Sequence, residues 1–265
     1  MRADVWLVEN GLVASRQKAQ ELIAAGRVVL KHGDGREQPV KKPSQAILDP
    51  SAKLTITKSD EPEFVSRGGL KLLGALKRVP LFHIAGATVL DLGISTGGFT
   101  DCLLQSGATR VIGVDVGHDQ LVPSLRADSR VTLFEGVNAR ELVESESLAR
   151  RRVLESVGGR LFDRIVIDVS FISLKMILPS AASLLRESGY ILALVKPQFE
   201  VGREGLGKNG VVKDEKLYPQ VETSIRDTCK TLGLRVEDYF ASPILGSDGN
   251  KEFFILASNP QVGLF

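Results

Sequence analysis

The hydrophobic positions between residues 87 and 257 fall into short apolar runs that are separated by segments long enough for a helix. The run 190–195 lies between Ser188-Gly189 and Pro197, which is typical of a strand buried on both faces. Alternation of such strands with helices predicts an α/β fold with a doubly wound sheet. Six further runs predict the other strands, at 87–92, 111–115, 131–134, 163–168, 234–241 and 253–257.

Residues 1–60 have a different pattern, a short helix followed by a strand. Ser15 precedes apolar residues at helical spacing and predicts the start of the helix, and Gly26 predicts its end. The segment 58–63, KSDEPE, is charged, contains proline and has no periodicity, which favours a linker. The sequence therefore predicts one domain at 1–60 and a second at 61–265.

The composition is that of an ordinary soluble protein, with 43% apolar and 25% charged residues in a chain of 265. No stretch approaches the roughly 20 apolar residues of a membrane span, and the first residues carry charges where a signal peptide is apolar. We therefore expect a cytoplasmic protein. Two cysteines and three scattered histidines do not form a metal-ligand pattern, so we expect no metal.

The N-terminal domain carries the positive charge. Residues 1–60 contain ten Lys and Arg against seven Asp and Glu, whereas the whole chain has a net charge of +2. Such an excess favours contact with nucleic acid, although an ordinary solvated surface explains it equally well.

Four charged residues stand where predicted strands end. In a doubly wound sheet, ligands bind beyond the carboxyl ends of the strands, near the point where the strand order reverses. The sequence therefore predicts an active-site rim that contains Asp91, Asp115, Asp168 and Lys196.

The segment 89–101, VLDLGISTGGFTD, predicts a strand, a glycine loop and a helix start. Its glycine spacing, G-x-x-x-G-G, differs from the G-x-G-x-x-G of dinucleotide-binding loops. With the acidic residue before it, the loop resembles motif I of S-adenosylmethionine-dependent methyltransferases. Asp115 can bind the ribose hydroxyls of a nucleoside, which suits NAD and S-adenosylmethionine equally. Asn138 lies near the expected adenine, but it fits a helix N-cap at least as well.

The residues after the fourth strand, Asp168-Val-Ser-Phe, narrow the choice of methyl acceptor. An Asn/Asp-Pro-Pro-aromatic tetrad would indicate methylation of a base nitrogen, and a Pro-Cys pair would indicate methylation of C5. Neither is present. A ribose hydroxyl remains, and it needs help to lose its proton.

Lys196 is the candidate for removing that proton. The alternative is an ordinary surface lysine, whose stem covers the end of the strand while its ammonium reaches water. Lys71 lies in a predicted helix whose N-cap is Ser66 and whose Leu70, Leu73 and Leu76 are expected to pack inward. A solvated helix lysine is the alternative there. Glu252 begins the last strand, which, if antiparallel, places it at the same edge of the sheet.

In chain order, Lys71, Asp168, Lys196 and Glu252 resemble the K-D-K-E tetrad of FtsJ-type ribose 2′-O-methyltransferases. Five separated segments, SRGGLKL, STGGFTDCLLQ, VIDVSFISLK, LVKPQFEVGREGLGKNGVV and SPILGSDGNKEFF, resemble the TlyA family, whose members are described both as hemolysins and as rRNA cytidine 2′-O-methyltransferases. Residues 2–30 are similar to that family's αL RNA-binding fold, which also occurs in a small-subunit ribosomal protein and in pseudouridine synthases.

The resemblance implies a seven-stranded Rossmann-like methyltransferase sheet with a small N-terminal α+β RNA-binding domain. It further implies S-adenosylmethionine as cofactor, cytidine 2′-O-methylation, and ribosomal RNA or ribosomal subunits as partner. We expect no membrane span and a monomeric enzyme. Lys71, Asp168, Lys196 and Glu252 would be catalytic. The residues expected at the cofactor are Asp91, Gly93, Ser95, Gly97, Phe99, Asp115 and Asn138. Those expected at RNA are Arg2, Arg16, Lys18, Arg27, Lys31 and Arg67.

Three other functions stay open at this stage: a membrane-active hemolysin, a non-catalytic rRNA-binding protein, and an NAD-dependent oxidoreductase on the same sheet. The glycine-rich loop 201–212 favours a mobile basic flap and an ordinary surface loop about equally.

Overall fold

The computed structural model describes residues 1–13, 15–57, 62–246 and 249–260. The chain divides into two compact units, Met1–Glu63 and Phe64–Phe265. Residues 58–61, most of the segment expected to be a linker, lie outside the described residues.

The first unit consists of two helices and a three-stranded antiparallel sheet of order β2-β1-β3. The side chain of Ser15 accepts a hydrogen bond from the Lys18 backbone N–H, which confirms the predicted helix start. Leu7, Leu22 and Val28 belong to the core, so the helices pack on one face of the sheet. The elements are α1 (Ala3–Glu9), α2 (Arg16–Ala24), β1 (Val28–Lys31), β2 (Glu37–Pro39) and β3 (Lys53–Ile56).

The second unit has a seven-stranded sheet of order β6-β5-β4-β7-β8-β10-β9. The pairs from β6 through β8 are parallel, while β10 runs antiparallel to both β8 and β9. All seven strands predicted from the apolar runs are present, and the predicted fold class is confirmed. They are β4 (Thr88–Leu92), β5 (Arg110–Val114), β6 (Val131–Phe134), β7 (Phe162–Ile167), β8 (Leu185–Val195), β9 (Arg235–Ala241) and β10 (Phe253–Ser258).

Helices cover both faces of this sheet, where two buried apolar clusters form the core. The central strands β4, β7 and β8 are buried on both faces, which explains their continuous apolar sequences. The helices of the unit are α3 (Gly68–Arg78), α4 (Gly98–Gln105), α5 (Pro123–Arg126), α6 (Leu148–Glu155), α7 (Leu178–Leu184) and α8 (Tyr218–Thr231).

Helix α3 differs from the prediction in its start and its buried face. Arg67 occupies the N-cap position and no side chain caps the helix, so the predicted cap at Ser66 is wrong. Leu73 and Leu76 are partly buried and pack against the core as predicted, but Leu70 is exposed, and the fully buried positions are Leu72 and Ala75. The reason is Gly69: any side chain there would overlap Phe64, so the helix packs closely along its Gly69 side and turns Leu70 outward.

The strand order reverses between β4 and β7. The chain adds β5 and β6 on one side of β4 and then returns to pair β7 with its other side. The carboxyl ends of β4, β5, β7 and β8 therefore lie at one edge of the sheet. Phe253 at the start of β10 pairs with Val195 at the end of β8, so Glu252 and Lys196 also lie at this edge.

Candidate active site

Lys196 follows the last residue of β8 and contacts the loop that leaves the neighbouring strand β7. Its Nζ lies 2.6 Å from Asp168 Oδ1 and forms an ion pair with it. The same Nζ donates a hydrogen bond to Ser170 Oγ at 2.8 Å. Because β7 and β8 are parallel neighbours, their carboxyl ends bring these side chains together.

A second ion pair connects helix α3 with the start of β10. Lys71 Nζ lies 2.5 Å from Glu252 Oε2, and the two side chains are only 11% and 4% exposed. Gly246 contributes to this burial, because a Cβ on it would lie 2.7 Å from Glu252 Oε1. Two charges buried this deeply stabilise each other, and loss of either partner leaves the other uncompensated.

Three of these four charged residues line one small cavity of about 190 Å³. The glycine loop after β4 and the start of α4 form its floor, and Phe99 closes one side. Arg67 also lines it, and its guanidinium donates a hydrogen bond to the Leu245 carbonyl at 3.3 Å. The charged and hydroxyl side chains of the lining are Ser66, Arg67, Lys71, Ser95, Thr96, Asp168, Ser170 and Lys196.

A larger cavity of about 520 Å³ lies beside the first and shares Gly93, Ser95, Asp168 and Ser170 with it. Its size falls within the roughly 300–1,000 Å³ of small-molecule sites. The lining is apolar except near the ends of β4, β5 and β7. The apolar residues are Val114, Val116, Val137, Ala139, Val169, Phe171, Ile172 and Ile177, and the polar ones at the rim include Asp115, Gln120 and Asn138.

Asp115 is held at the rim of the larger cavity by backbone amides. Its Oδ2 accepts from the N–H of Ser95 and its Oδ1 from the N–H of Gly117, both at 2.8 Å. Asn138 also lines this cavity, and its side-chain oxygen accepts from the Arg140 N–H, as in a helix N-cap. Asn138 can therefore be a helix N-cap and also lie near a bound adenine.

Asp91 lies beneath the glycine loop and lines neither cavity. It is fully buried, and its Oδ2 accepts a hydrogen bond from Thr100 Oγ1 at 2.7 Å. Its Oδ1 has no hydrogen-bond partner among the described residues. Burial, together with the nearby Asp168 and Asp115 carboxylates and against the opposing hydrogen bond from Thr100, raises the pKa of this carboxyl to about 7.

Gly93 and Gly97 are required by the protein's own packing. Gly93 has φ +90°, and a Cβ on it would lie 2.5 Å from the Asp168 carbonyl oxygen. Gly97 has φ +97° and lines neither cavity, because a Cβ there would overlap Leu125 and lie 2.7 Å from Leu121 Cδ1. Gly93 thus lets the β4 and β7 loops approach each other, while Gly97 lets the loop turn over α5.

In the N-terminal unit, two arginines expected at RNA meet on one carboxylate. Arg2 donates to both oxygens of the buried Asp4 at 3.0 Å, and Arg16 donates to its Oδ2 at 3.2 Å. The Arg2 guanidinium holds the pKa of Asp4 well below its usual range. Both arginine side chains remain about half exposed, so each keeps N–H groups available to a ligand.

The other basic residues of this unit are separate from that pair. Arg27 donates to the Thr57 carbonyl and to Glu63, and only 18% of its side chain is exposed. Lys31 forms a surface ion pair with Glu37 at 2.6 Å. Lys18 lies on α2, in the turn that contains Arg16.

Sequence reasoning missed the residues between Asp168 and the next helix. Ser170 lines both cavities and binds Lys196, and Phe171 is 91% exposed beside the larger cavity with φ +64°. Their signal in the sequence is the segment VSF after Asp168, which excludes other chemistries and belongs to the family-like segment VIDVSFISLK but assigns no role to either residue. Apolar periodicity gives no indication of contacts made by a loop.

The sheet has a nucleoside-sized cavity at its carboxyl edge, and a cluster of two lysines and two carboxylates lies beside that cavity. This combination defines the class of Rossmann-like methyltransferases. The chain belongs to the FtsJ-like methyltransferase family, whose model matches residues 64–259. Methyltransferases of this family take the methyl group from S-adenosylmethionine.

Proteins similar over nearly the whole chain carry two kinds of name. The 16S/23S rRNA (cytidine-2′-O)-methyltransferase TlyA of Mycobacterium tuberculosis is 42% identical over 96% of this chain and 88% of its own length. Hemolysin A of Brachyspira hyodysenteriae is 35% identical, covering 96% of this chain and 98% of that one. A solved Streptococcus thermophilus structure that is named a hemolysin is 38% identical, with a TM-score of 0.70, and covers 98% of this chain and 89% of that chain.

Proposed function

We propose that this protein methylates the ribose 2′-hydroxyl of a cytidine in ribosomal RNA. The single observation that carries the proposal is the convergence of Lys71, Asp168 and Lys196 on one small cavity, with Glu252 paired to Lys71. The names of the similar rRNA methyltransferases supply the substrate.

The residues of the larger cavity fit S-adenosylmethionine. Asp115, fixed by two backbone amides, is suited to the ribose hydroxyls of the adenosine, and the apolar walls are suited to a flat adenine. Asp168, between the two cavities, provides negative charge for a sulfonium. When bound, S-adenosylmethionine supplies an electrophilic methyl group.

The tetrad residues would act on the target ribose in the smaller cavity. Lys196 would orient the hydroxyl or, once the lysine has lost its own proton to solvent, accept the proton of the hydroxyl as the oxygen attacks, since Lys196 lines this cavity beside Asp168 and Ser170. Asp168 holds Lys196, and Glu252 fixes Lys71 at the other side of the ribose. Alignment of the hydroxyl is the main catalytic task, because the reaction joins two bound groups.

The N-terminal unit would bind the RNA. Arg2 and Arg16 form a half-exposed cationic pair on Asp4, Lys18 lies on the same helix as Arg16, and Arg67 of the second unit lines the target pocket. Arg27 and Lys31 support the proposal less, because each is already paired with an acid of its own unit. We assign residues 1–60 to RNA binding and 61–265 to methyl transfer.

The test is mass-spectrometric mapping of ribose methylation in rRNA from cells with and without the gene. One methylated cytidine should disappear with the gene and return with the wild-type gene. The Lys196→Ala gene should not restore it. Lys77→Ala, on the exposed end of α3, should restore it and controls for loss of a lysine. Identical rRNA from all strains would contradict the proposal.

Among the described residues, no helix is long and apolar enough to cross a membrane. A second test measures lysis of erythrocytes by purified wild-type protein and by the purified Lys196→Ala variant. Equal lysis by both would identify an activity that is independent of methyl transfer.

A further inference from the structure

The loop 168–174 and the segment 196–200, which follow β7 and β8, are joined by side-chain contacts. Glu200 accepts hydrogen bonds from Ser173 Oγ at 2.6 Å and from the Leu174 backbone N–H at 2.7 Å. The rings of Phe171 and Phe199 lie 5.4 Å apart. The Asp168 N–H donates to the Leu92 carbonyl, so the loop is fixed to β4 at its other end. Ser170 lies between these anchors.

The Ser170 hydroxyl lines both cavities and contacts the lysine proposed to act on the substrate. Lys196 Nζ donates to Ser170 Oγ at 2.8 Å and forms an ion pair with Asp168 Oδ1 at 2.6 Å. Within the described part of the chain, Ser170 is thus an uncharged hydrogen-bond partner of this amine, beside the charged one. A carboxylate attracts an ammonium from a wide range of directions, so Asp168 by itself does not fix where Nζ points.

A hydroxyl is suited to this task for a chemical reason. It accepts a hydrogen bond from an N–H of Nζ whether the lysine is an ammonium or a neutral amine, so it can hold Nζ in either protonation state. A carboxylate, by contrast, favours the charged state. Because Ser170 Oγ accepts in this contact, the lone pair of the neutral amine stays free to take the proton of the ribose hydroxyl.

We propose that Ser170 is a positioning residue that aims Lys196 Nζ at the target hydroxyl. This inference rests on the proposed function of the site. The anchors at Asp168 and Glu200 make the loop rigid enough for the task, since a catalytic geometry is lost by displacements of about 1 Å.

The experiment compares Ser170→Ala and Ser170→Thr in purified full-length protein, with rRNA and radiolabelled S-adenosylmethionine. Ser170→Ala should lower kcat about tenfold, the effect of losing one hydrogen bond to a charged group. KM for rRNA and the calorimetric affinity for S-adenosylmethionine should stay within twofold of wild type. Ser170→Thr keeps the hydroxyl and should recover at least half of kcat.

The matched control is Ser224→Ala on α8. Ser224 Oγ accepts a hydrogen bond from Lys175 Nζ at 3.1 Å, so the chain offers a second lysine–serine contact away from both cavities. This variant should keep wild-type kcat. Melting temperatures of all variants establish that each is folded.

Two results would overturn the inference: wild-type kcat in Ser170→Ala, or equal loss of kcat in folded Ala and Thr variants. A fall in cofactor affinity equal to the fall in activity would also overturn it, because Ser170 would then be a cofactor contact. The proposed function fails separately, through inactivity of the wild-type enzyme or full activity of Lys196→Ala.

Discussion

Lys71 and Glu252 form an ion pair that is almost fully buried, with Nζ 2.5 Å from Oε2. One residue lies on the first helix of the second unit and the other at the start of its last strand. The pair therefore ties the two ends of this unit together at the edge of the sheet where the candidate site lies. The role of this pair in packing and its role in chemistry can be separated by experiment.

We expect Glu252→Gln to lower the free energy of unfolding by about 3 kcal/mol, because it leaves the Lys71 ammonium buried without a counter-charge. The double variant K71M/E252L should regain most of that stability, since an apolar pair needs no compensation. It should remain inactive. Chemical denaturation and methyl-transfer assays provide the two measurements.

Glu215→Gln is the control for this cycle, because it removes a carboxylate from the exposed pair with Lys251. Its melting temperature should match that of wild type. A double variant that recovers both stability and activity would show that the buried pair has no chemical role.

Lys196→Arg tests whether the amine of Lys196 must take a proton. Arginine keeps the positive charge but does not deprotonate in proteins, and its planar group has a different shape. We therefore expect kcat to fall about as far as in Lys196→Ala, by 100-fold or more if the residue is a general base. Calorimetric affinity for S-adenosylmethionine should change less than twofold in both. Near-normal turnover of the arginine variant would reduce the role of Lys196 to electrostatics.

The buried carboxyl of Asp91 predicts a dependence of stability on pH. Its pKa is about 7 in the folded protein and about 3.9 in the unfolded chain. Folding therefore favours the neutral carboxyl. The free energy of unfolding falls as pH rises from about 4 to about 7, and above about pH 7 the full cost of burying the charged carboxylate is present. In the variant Asp91→Asn, the side-chain amide keeps an acceptor for the Thr100 hydroxyl and removes the cost of burying a charge.

We accordingly expect the melting temperature of cofactor-free Asp91→Asn to exceed that of wild type at pH 8. The difference should shrink towards pH 5. Asp227→Asn, which changes an exposed carboxylate on α8, is the control and should show no such trend. A difference that is constant over this pH range would mean that packing, and not charge burial, distinguishes the variant.

The strands and the residues at their ends could be predicted because burial on both faces requires continuous apolar runs. The positions of Lys196 and Asp168 at the edge of the sheet could be predicted from where those apolar runs end. Their partners could not be predicted in the same way, because Ser170, Phe171 and Glu200 depend on the path of loops. The N-cap at Ser66 was wrong because the close contact of Gly69 with Phe64 sets where the helix lies, and local sequence does not report such a contact.

Gly97 shows how the same residue can be predicted for one reason and required for another. The glycine spacing indicated close approach of a ligand, but the structure shows φ +97° and two leucines where a Cβ would lie. Gly97→Ala should therefore destabilise the protein, by about 1–2 kcal/mol from the backbone and more from the overlap. Chemical denaturation measures the loss.

The double variant Gly97→Ala with Leu125→Ala separates the two causes. Removing the Leu125 side chain relieves the overlap but not the backbone strain, so the second substitution should cost less in the Gly97→Ala background than in wild type. Strict additivity would show that overlap contributes nothing. Cofactor affinity measured on the folded fraction should stay close to that of wild type, because Gly97 lines neither cavity.

The proposed RNA contact of the N-terminal unit predicts a change in salt dependence. Each phosphate contact releases counterions, so log affinity falls with log salt by about 0.7 per contact on single-stranded RNA. Replacing Arg16 and Lys18 with alanine should flatten this slope by about 1.4 units if both residues touch phosphate. It should also weaken different RNAs alike, because phosphate contacts position the protein without reading sequence.

Arg36→Ala is the matched control, because Arg36 is an exposed arginine of the same unit whose partner, Asp34, is two residues away. Its slope should equal that of wild type. Filter binding of rRNA fragments at several salt concentrations measures all slopes, and calorimetry with S-adenosylmethionine checks that the second unit is intact. If the Arg16 and Lys18 variant kept the wild-type slope, neither Arg16 nor Lys18 would touch phosphate, and the RNA contact of this helix would have to be withdrawn.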